Sequence, residues 1–314
     1  MSELGYVREY FSEHARAWVR RAYGDGRCPS AYPVGVQRLR LTMEAVLERL
    51  GSLRGRLVEL GCGGGELCAH AAGLGFDVIG LDLAAGMIEE AERRRQALPE
   101  PARRRLELRV GNALETGLPA GTADVVTAIG LIEYLEGDDA FFREAARVLR
   151  PGGVLVVSCR NRLFNLASLN DYTRREIEAG SAATLLAELR AFVSDAGGPD
   201  PLKEFAARLR HAAGELDQAL AEDAEEARRP AALADVPAFE RPRRQHSPQD
   251  LARAAGRYGF SSPEFMAVHP HPLPPAFEAA APRFYNRLAS AMEALERTPA
   301  SLAWSSAFLG VFSR

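Results

Sequence analysis

Two acidic residues stand at the ends of predicted strands, each just before a turn. Glu59 closes the first strand and precedes the stretch Gly61-Cys62-Gly63-Gly64-Gly65, and Asp82 closes the second strand. Glycines after a strand let the chain turn sharply and let a ligand approach the backbone closely. A carboxylate at Asp82 can accept hydrogen bonds from both hydroxyls of a ribose. Glu59 would repel a phosphate, but it would attract an ammonium group.

The glycine-rich stretch differs from the loops that bind phosphates. A dinucleotide site needs G-x-G-x-x-G, but Glu66 occupies the place of the third glycine, and the chain has no G-x-x-x-x-G-K-[ST] sequence. An ammonium group, a ribose and no phosphate describe S-adenosylmethionine (SAM), so we predict a SAM site with S-adenosylhomocysteine as the product. The alternatives are a glycine turn without a ligand and an Asp82 that only caps the next helix.

Five segments extend this pattern along the chain. VELGCGGG, VIGLDLAAGMIEEA, VGNALETGLP, ADVVTAIGLIEYLEG and REAARVLRPGGVLVVS resemble, in order and spacing, the successive motifs of class I SAM-dependent methyltransferases. The resemblance is dense over residues 56–160 and looser over 247–313. It implies an enzyme that transfers the methyl group of SAM.

The resemblance also implies ten cofactor contacts. Glu59 would hold the methionine end, and Asp82 the ribose. Asn112 stands where the family often has Asp beside the adenine amino group, so its side-chain oxygen would accept that hydrogen bond without a charge. The other contacts are Gly61, Cys62 and Gly63 of the loop, Leu83, Met87 and Ala113 near the adenine, and Ile129 at the end of the fourth strand.

Apolar strands alternate with helical patterns, which predicts a parallel sheet with helices on both faces. With the family resemblance, the expected fold is α/β, a Rossmann-like doubly wound sheet of seven strands, mostly parallel with the last strand antiparallel. The predicted strands span residues 56–60, 77–83, 106–110, 123–129, 153–158, 264–269 and 303–313. The predicted helices span 36–51, 66–74, 85–97, 139–149, 202–229, 247–260 and 276–297.

The chain is expected to have three parts. Residues 51–160 and 245–314 form the SAM-binding core, and residues 161–244 form a helical insertion after strand five that would cap the substrate. Residues 1–50 form a helical lid, with Gly24-Asp25-Gly26 as a hinge. The aromatic side chains of the first helix also allow a simpler interpretation as core packing.

Candidate acceptor residues follow the fifth and sixth strands. His269 and His271 in the segment HPHPLPP are predicted as a general base or as orienting groups, and the alternatives are a metal pair or a structural role. Arg160 could clamp a carboxylate or phosphate of the substrate, or face solvent. Tyr23, Asn161 and Asn165 are the other predicted substrate contacts. No metal is expected.

The composition is that of an ordinary globular protein. The chain has 314 residues, 47% of them hydrophobic, and a net charge of −3, which gives no attraction to nucleic acid or to an anionic membrane. No apolar run is long enough for a membrane span. The four cysteines lack metal-ligand spacing, so reduced thiols are expected. We therefore expect a cytoplasmic protein, a monomer or a homodimer, without nucleic-acid or membrane partners.

The predicted function is methyl transfer from SAM to a hydroxyl or amine, less often a carbon, of a small metabolite in specialised metabolism. Two alternatives remain. The acceptor could be a protein or a carrier-bound group, docked on the acidic stretch EDAEEA at residues 222–227. The chain could also be a non-catalytic SAM-binding subunit.

Overall fold

A seven-stranded sheet forms the centre of the molecule. The computed structural model describes residues 2–23, 32–190, 200–227, 237 and 239–314. The strands are β1 (Arg56–Leu60), β2 (Asp77–Asp82), β3 (Leu106–Val110), β4 (Ala123–Ile129), β5 (Leu149–Arg160), β6 (Ser261–Pro270) and β7 (Ser305–Ser313). Their order in the sheet is β3-β2-β1-β4-β5-β7-β6.

The strand directions agree with the sequence prediction. β1 pairs in parallel with both β2 and β4, and Val58 lies opposite Ile79 on one side and Val126 on the other. β7 is antiparallel to both of its neighbours, β5 and β6. The Rossmann-like seven-stranded fold is therefore confirmed. The strand order reverses between β1 and β4, because β2 and β3 lie on one side of β1, and β4 and β5 lie on the other. Ligands of open α/β sheets bind at such a topological switch point.

The helices are α1 (Glu3–Tyr23), α2 (Val34–Leu50), α3 (Glu66–Leu74), α4 (Ala85–Gln96), α5 (Glu100–Arg105), α6 (Asp139–Val148), α7 (Asp171–Glu178), α8 (Ala182–Leu189), α9 (Asp200–Glu226), α10 (Pro248–Gly256), α11 (Pro275–Ala280) and α12 (Pro282–Met292). The single helix predicted over 276–297 is divided into α11 and α12. The division falls at Pro282, whose ring nitrogen has no hydrogen to donate and which suits the first turn of a helix.

Both faces of the sheet are covered. On one face, α2, with Leu41 and Val46, packs against β5, β6 and β7, and α3, with Leu67, packs against β1, β2 and β3. On the other face, α6 packs Phe141 and Phe142 beside residues of α10. α2 is thus part of the core, although the sequence assigns residues 1–50 to a lid. The proposed hinge Gly24-Asp25-Gly26 lies outside the described residues.

α1 packs across α4, and a glycine permits the close approach. A Cβ atom on Gly86, in the first turn of α4, would lie 2.3 Å from the carbonyl oxygen of Ser12 in α1. Ala15 of α1 is buried together with Ala84 and Met87 of the α4 region. The two backbones could not come this close with a side chain at position 86. Glycine at this position therefore permits the packing of α1 against α4.

The insertion is tied to the core by α9, which packs along α12. Asp223 of α9 is buried, and its carboxylate accepts hydrogen bonds from the backbone N–H groups of Arg283 and Phe284 at the start of α12, each at 3.1 Å. The Arg283 guanidinium also forms ion pairs with Glu222, Asp223 and Glu226. The acidic stretch that could have docked a carrier protein therefore stabilises the chain's own α12.

The last part of the insertion returns towards α1. The Phe239 ring packs against Tyr10 and Phe11 of α1 and against Tyr134, with ring centroids 5.1 to 6.1 Å apart. Tyr10 donates a hydrogen bond to the carbonyl oxygen of Pro237. Among the described helices, none combines the length and apolar character needed to cross a membrane.

Candidate functional site

A cavity opens at the carboxyl ends of β1, β2 and β4. Eight of the ten cofactor residues predicted from the sequence line this cavity: Gly61, Gly63, Asp82, Leu83, Met87, Asn112, Ala113 and Ile129. The other two, Glu59 and Cys62, lie behind the wall. The structure thus brings together residues that are as far as 68 positions apart in the chain (61 to 129).

The Asp82 carboxylate is held in place by backbone N–H groups. Oδ2 accepts from the N–H of Gly63 and Oδ1 from the N–H of Ala84, both at 2.9 Å. Burial raises the pKa of Asp82, and these backbone hydrogen bonds oppose the increase. Each carboxylate oxygen keeps a further lone pair for a ligand. One of the two donors, Ala84, is the N-cap residue of α4. The Asp82 carboxylate is therefore oriented to accept hydrogen bonds from the hydroxyl groups of a ligand.

Gly63 leaves the floor of the cavity open. Its φ is +51°, a left-handed conformation that side chains other than glycine rarely adopt. A Cβ atom at this position would meet no protein atom within 4 Å. A ligand can therefore lie directly against the backbone here.

Glu59 is buried beneath the loop. Its carboxylate accepts a hydrogen bond from the Cys68 thiol, with Oε2 and Sγ 2.9 Å apart. Burial, together with the nearby charges of Glu66 and Asp82, raises its pKa to about 8. Cys62 is buried as well, and its Sγ lies close to Gly80 on the core side of the loop. Only its backbone follows the loop.

Asn112 makes a local turn. Its Oδ1 accepts a hydrogen bond from the backbone N–H of Leu114 at 2.9 Å. The oxygen that the sequence assigns to the adenine amino group is thus already bonded once, and one lone pair remains for a ligand.

The outer wall of the cavity was not predicted residue by residue. Leu4, Val7, Phe11 and Trp18 of α1 line it, together with Leu131, Tyr134 and Leu135 after β4. The aromatic residues of α1 are the signal in the sequence for this wall. The four lining residues of α1 are three to seven positions apart, which places them on one face of the helix. This apolar wall suits a flat ring such as adenine.

Arg38 of α2 lies beside the cavity, and no pattern in the sequence indicates its role. Its Nη1 is 3.2 Å from the place where a Cβ atom on Gly130 would stand, and Gly130 lines the cavity. Its Nε is buried and has no hydrogen-bond partner among the described residues. The guanidinium can therefore receive an anionic group of a ligand.

Two predicted substrate residues, Tyr23 and Arg160, lie at the ends of α1 and β5. Burial, followed by the charges of Glu66 and Glu59, raises the pKa of Tyr23 at the end of α1. Arg160 ends β5, and its guanidinium lies 5.8 Å from the centre of the Tyr172 ring. The Nε of Arg160 is buried and unpartnered within the described part of the chain. Neither residue lines the cofactor cavity itself.

Asn161 and Asn165, the other predicted substrate contacts, form hydrogen bonds within the fold. The Asn161 side chain donates to the carbonyl oxygens of Leu302 and Ser305 and accepts from the N–H of Leu163. The Asn165 amide exchanges hydrogen bonds with Gln245 and donates to Glu176. Both side chains are buried and bonded within the fold, so they have little capacity left for an acceptor.

His269 and His271 lie at the end of β6, apart from the cofactor cavity. Burial lowers the pKa of His271 to about 2, and the neighbouring His269 contributes to this decrease. A histidine with such a pKa accepts a proton poorly near neutral pH, so His271 is a weak candidate for the predicted general base.

The sheet order, the open glycine loop and the oriented Asp82 define an α/β protein with a site at its strand ends whose carboxylate can accept hydrogen bonds from the hydroxyls of a ribose. The sequence model of the family described as "Methyltransferase domain" matches residues 58–157. The ubiquinone biosynthesis O-methyltransferase of Azorhizobium caulinodans is 33% identical over 130 residues, which cover 40% of this chain and 50% of that protein. The corresponding protein of Xanthomonas axonopodis pv. citri is 32% identical over 164 residues, which cover 49% and 67%.

Among solved structures, magnesium protoporphyrin IX methyltransferase from Synechocystis PCC 6803 with bound SAH aligns with a TM-score of 0.55 and 15% identity over 100% of both chains. This likeness supports the fold alone. The chain spans about half the length of the first curated relative that it matches. The protein belongs to the class I SAM-dependent methyltransferases, as the sequence motifs predicted.

Proposed function

We propose that this protein transfers the methyl group of SAM to a hydroxyl or amine of a small metabolite. The observation that carries the proposal is the Asp82 carboxylate, which two backbone N–H groups aim into a cavity whose floor is bare glycine. The names of the two ubiquinone biosynthesis relatives favour a hydroxyl as the acceptor group.

The cofactor would lie with its ribose on Asp82, its adenine between α1 and Met87, and its methionine end towards Glu59 and Arg38. In that position the Arg38 guanidinium pairs with the methionine carboxylate, and Glu59 attracts the ammonium group directly or through water. Bound SAM supplies an activated methyl group. The residues of this chain then supply position, because in-line alignment of acceptor, methyl and sulfur removes much of the barrier.

The acceptor would enter beside the end of β5. Arg160 and Tyr23 are the polar side chains that we propose for it, and Arg160 has an unpartnered Nε with which to bind an anionic or carbonyl group. The Phe239 ring contacts Phe11 and Tyr134, which line the cofactor cavity, so this side chain of the insertion would help to close the same space. A carrier-bound acceptor is less well supported, because Glu222, Asp223 and Glu226 pair with Arg283.

The proposal is tested by calorimetry with S-adenosylhomocysteine and by turnover of labelled SAM against small phenols and amines. The Asp82→Ala change should weaken cofactor binding by ~1.5–3 kcal/mol, the range for hydrogen bonds to a charged acceptor. Glu107→Ala, an exposed change on the adjacent strand β3, is the control and should bind normally.

Two results would contradict parts of the proposal. Equal affinity of wild type and Asp82→Ala would remove the ribose assignment. Normal cofactor binding without turnover of any acceptor, including proteins of a cell extract, would favour a non-catalytic SAM-binding subunit.

A further inference from the structure

Two histidines and a glutamate converge beyond the end of β6, outside the cofactor cavity. His269 and His271 flank Pro270, and Glu278 lies on α11. One ligand atom from each of the three side chains lies within 4.8 Å of the others. Nε2 of His269 is 3.5 Å from Oε1 of Glu278, and the centroids of the two imidazole rings are 4.2 Å apart.

The hydrogen bonds of His271 define its tautomer. Its Nδ1 is 2.6 Å from the Tyr285 hydroxyl, and that hydroxyl donates its only hydrogen to the carbonyl oxygen of Leu273, also at 2.6 Å. Nδ1 must therefore carry the hydrogen that joins it to Tyr285. Nε2 is left with a free lone pair, and it is buried without a partner among the described residues.

His269 is held in a similar way. Its Nδ1 lies 3.2 Å from the Ser306 hydroxyl, and its backbone N–H donates to Oε1 of Gln37 at 2.9 Å. Its ring stacks on Tyr32, with centroids 4.4 Å apart. Nε2 of His269 is buried and has no hydrogen-bond partner in the described ranges.

We propose that His269, His271 and Glu278 bind a divalent transition-metal ion of the zinc class, through the two imidazole Nε2 atoms and a carboxylate oxygen. Nε2 of each histidine is buried without a hydrogen-bond partner among the described residues, and the Glu278 carboxylate lies 3.5 Å from His269 Nε2 and 4.0 Å from the Nδ1 side of the His271 ring. Buried polar atoms without partners are unfavourable, and a cation held between these three side chains would satisfy them. Two histidines and one carboxylate are a ligand set that zinc and other divalent transition metals accept. This site departs from the sequence prediction, which expected no metal.

Tyr285 is a positioning residue in this site. Histidine ligands commonly donate their other ring N–H to an oxygen, and this bond fixes the tautomer and the orientation of the ring. Three protein ligands leave a coordination position for water or another ligand. Because the ligands belong to the end of β6 and to α11, the metal would join this helix to the edge of the sheet.

The test uses the full-length protein after dialysis against a chelator. Zn²⁺ is titrated by calorimetry, and Co²⁺ by its ligand-field absorption. Wild type should bind one equivalent of either ion, and Zn²⁺ should raise its melting temperature. Tyr285→Phe, which keeps the ring and removes the hydroxyl, should weaken the affinity ~10–100-fold.

Glu278→Gln should lose the tetrahedral Co²⁺ spectrum and the thermal stabilisation by Zn²⁺, whereas the control His70→Ala, an exposed histidine on α3, should behave as wild type. Unchanged affinity for S-adenosylhomocysteine in the Glu278→Gln variant shows that it is folded. The proposal is overturned if wild type binds no metal stoichiometrically, or if Glu278→Gln and Tyr285→Phe bind Zn²⁺ and Co²⁺ as wild type does. Neither result depends on methyl transfer.

Discussion

The Arg38 guanidinium and the Glu59 carboxyl group lie at the same end of the cofactor cavity. The charge of Glu59 raises the pKa of Tyr23 and the charge of Arg38 lowers it, so both groups lie close to this tyrosine. A methionine zwitterion would place its carboxylate on Arg38 and its ammonium group towards Glu59. Each half of this arrangement can be tested separately.

For Arg38 we predict that the Arg38→Gln change weakens S-adenosylhomocysteine by ~1.5–3 kcal/mol, because a hydrogen-bonded charge pair is lost. Methylthioadenosine keeps the adenosine but has no amino-acid group, so its affinity should not change. Calorimetry with both ligands measures the difference. Arg93→Gln on the exposed side of α4 serves as the charge control. Equal loss for the two ligands would mean that Arg38 acts through the fold.

For Glu59 we predict that cofactor binding at pH 7 releases a proton. The free protein holds the pKa of this carboxyl at about 8, so it is mostly protonated, and a nearby ammonium group favours the carboxylate. Binding enthalpies in buffers with different ionisation enthalpies give the number of protons. The Glu59→Gln variant should release no proton. In the wild type the proton release should decrease above pH 8, where the Glu59 carboxyl group is already ionised.

The raised pKa of Glu59 should also make the stability of the free protein depend on pH. Because the folded pKa of about 8 lies above the ordinary value of 4.5, the contribution of Glu59 to the free energy of unfolding is full below pH 4.5. This contribution is lost as the pH rises through 8. Wild type should therefore lose more stability than Glu59→Gln between pH 5 and pH 9 in urea titrations. A parallel decline in both proteins would contradict the assigned pKa.

At the scale of elements, the sequence predicted the strands and the glycine loop better than the packing around them. Asp82 and Gly63 belong to local patterns, a strand that ends in an acid and a turn that needs a left-handed residue. Arg38 lies on a helix whose direction over the cavity depends on contacts with β5 and β6, far along the chain. Asn161 is polar at a strand end, and only the fold reveals that Leu302 and Ser305 bind its amide.

The contact between α1 and α4 gives a prediction for the lid. Gly86→Ala places a Cβ atom against the Ser12 carbonyl, so α1 must move away, at a cost of ~1–3 kcal/mol for overpacking. Amide exchange in residues 3–23 should become faster, and S-adenosylhomocysteine should bind more weakly. Gly73→Ala is the matched control, since a Cβ atom there meets nothing within 4 Å and alanine should stabilise α3 by ~0.5–1 kcal/mol.

The wild-type exchange experiment separates a lid from a fixed wall. If α1 is a lid, exchange in residues 3–23 slows when cofactor is added, because Leu4, Phe11 and Trp18 line the cavity that the cofactor would fill. If these amides are equally protected without cofactor, α1 is a permanent part of the core.

At the scale of the whole molecule, hydrogen bonds between charged side chains join the end of the insertion to the core. Arg244 at the end of the insertion and His246, two residues further on, both bind Asp138 at the start of α6. These two residues are 106 and 108 positions from Asp138, and the sequence around them has no pattern that predicts the contact. The predicted cap at 161–244 is therefore connected to the core at its exit and along α9.

Asp223 tests whether these parts unfold together. It caps α12 across 60 positions of sequence, so Asp223→Ala removes two backbone hydrogen bonds and leaves Arg283 without its buried partner. We expect a loss of ~1–3 kcal/mol in the free energy of unfolding, in a single urea transition. Glu204→Ala, which breaks only the exposed pair with Arg208 on the same helix, should change stability by less than ~0.5 kcal/mol. Affinity for S-adenosylhomocysteine should stay the same in both variants, because neither residue approaches the cavity. A second, earlier transition in Asp223→Ala would show that the insertion unfolds on its own, as an independent cap would.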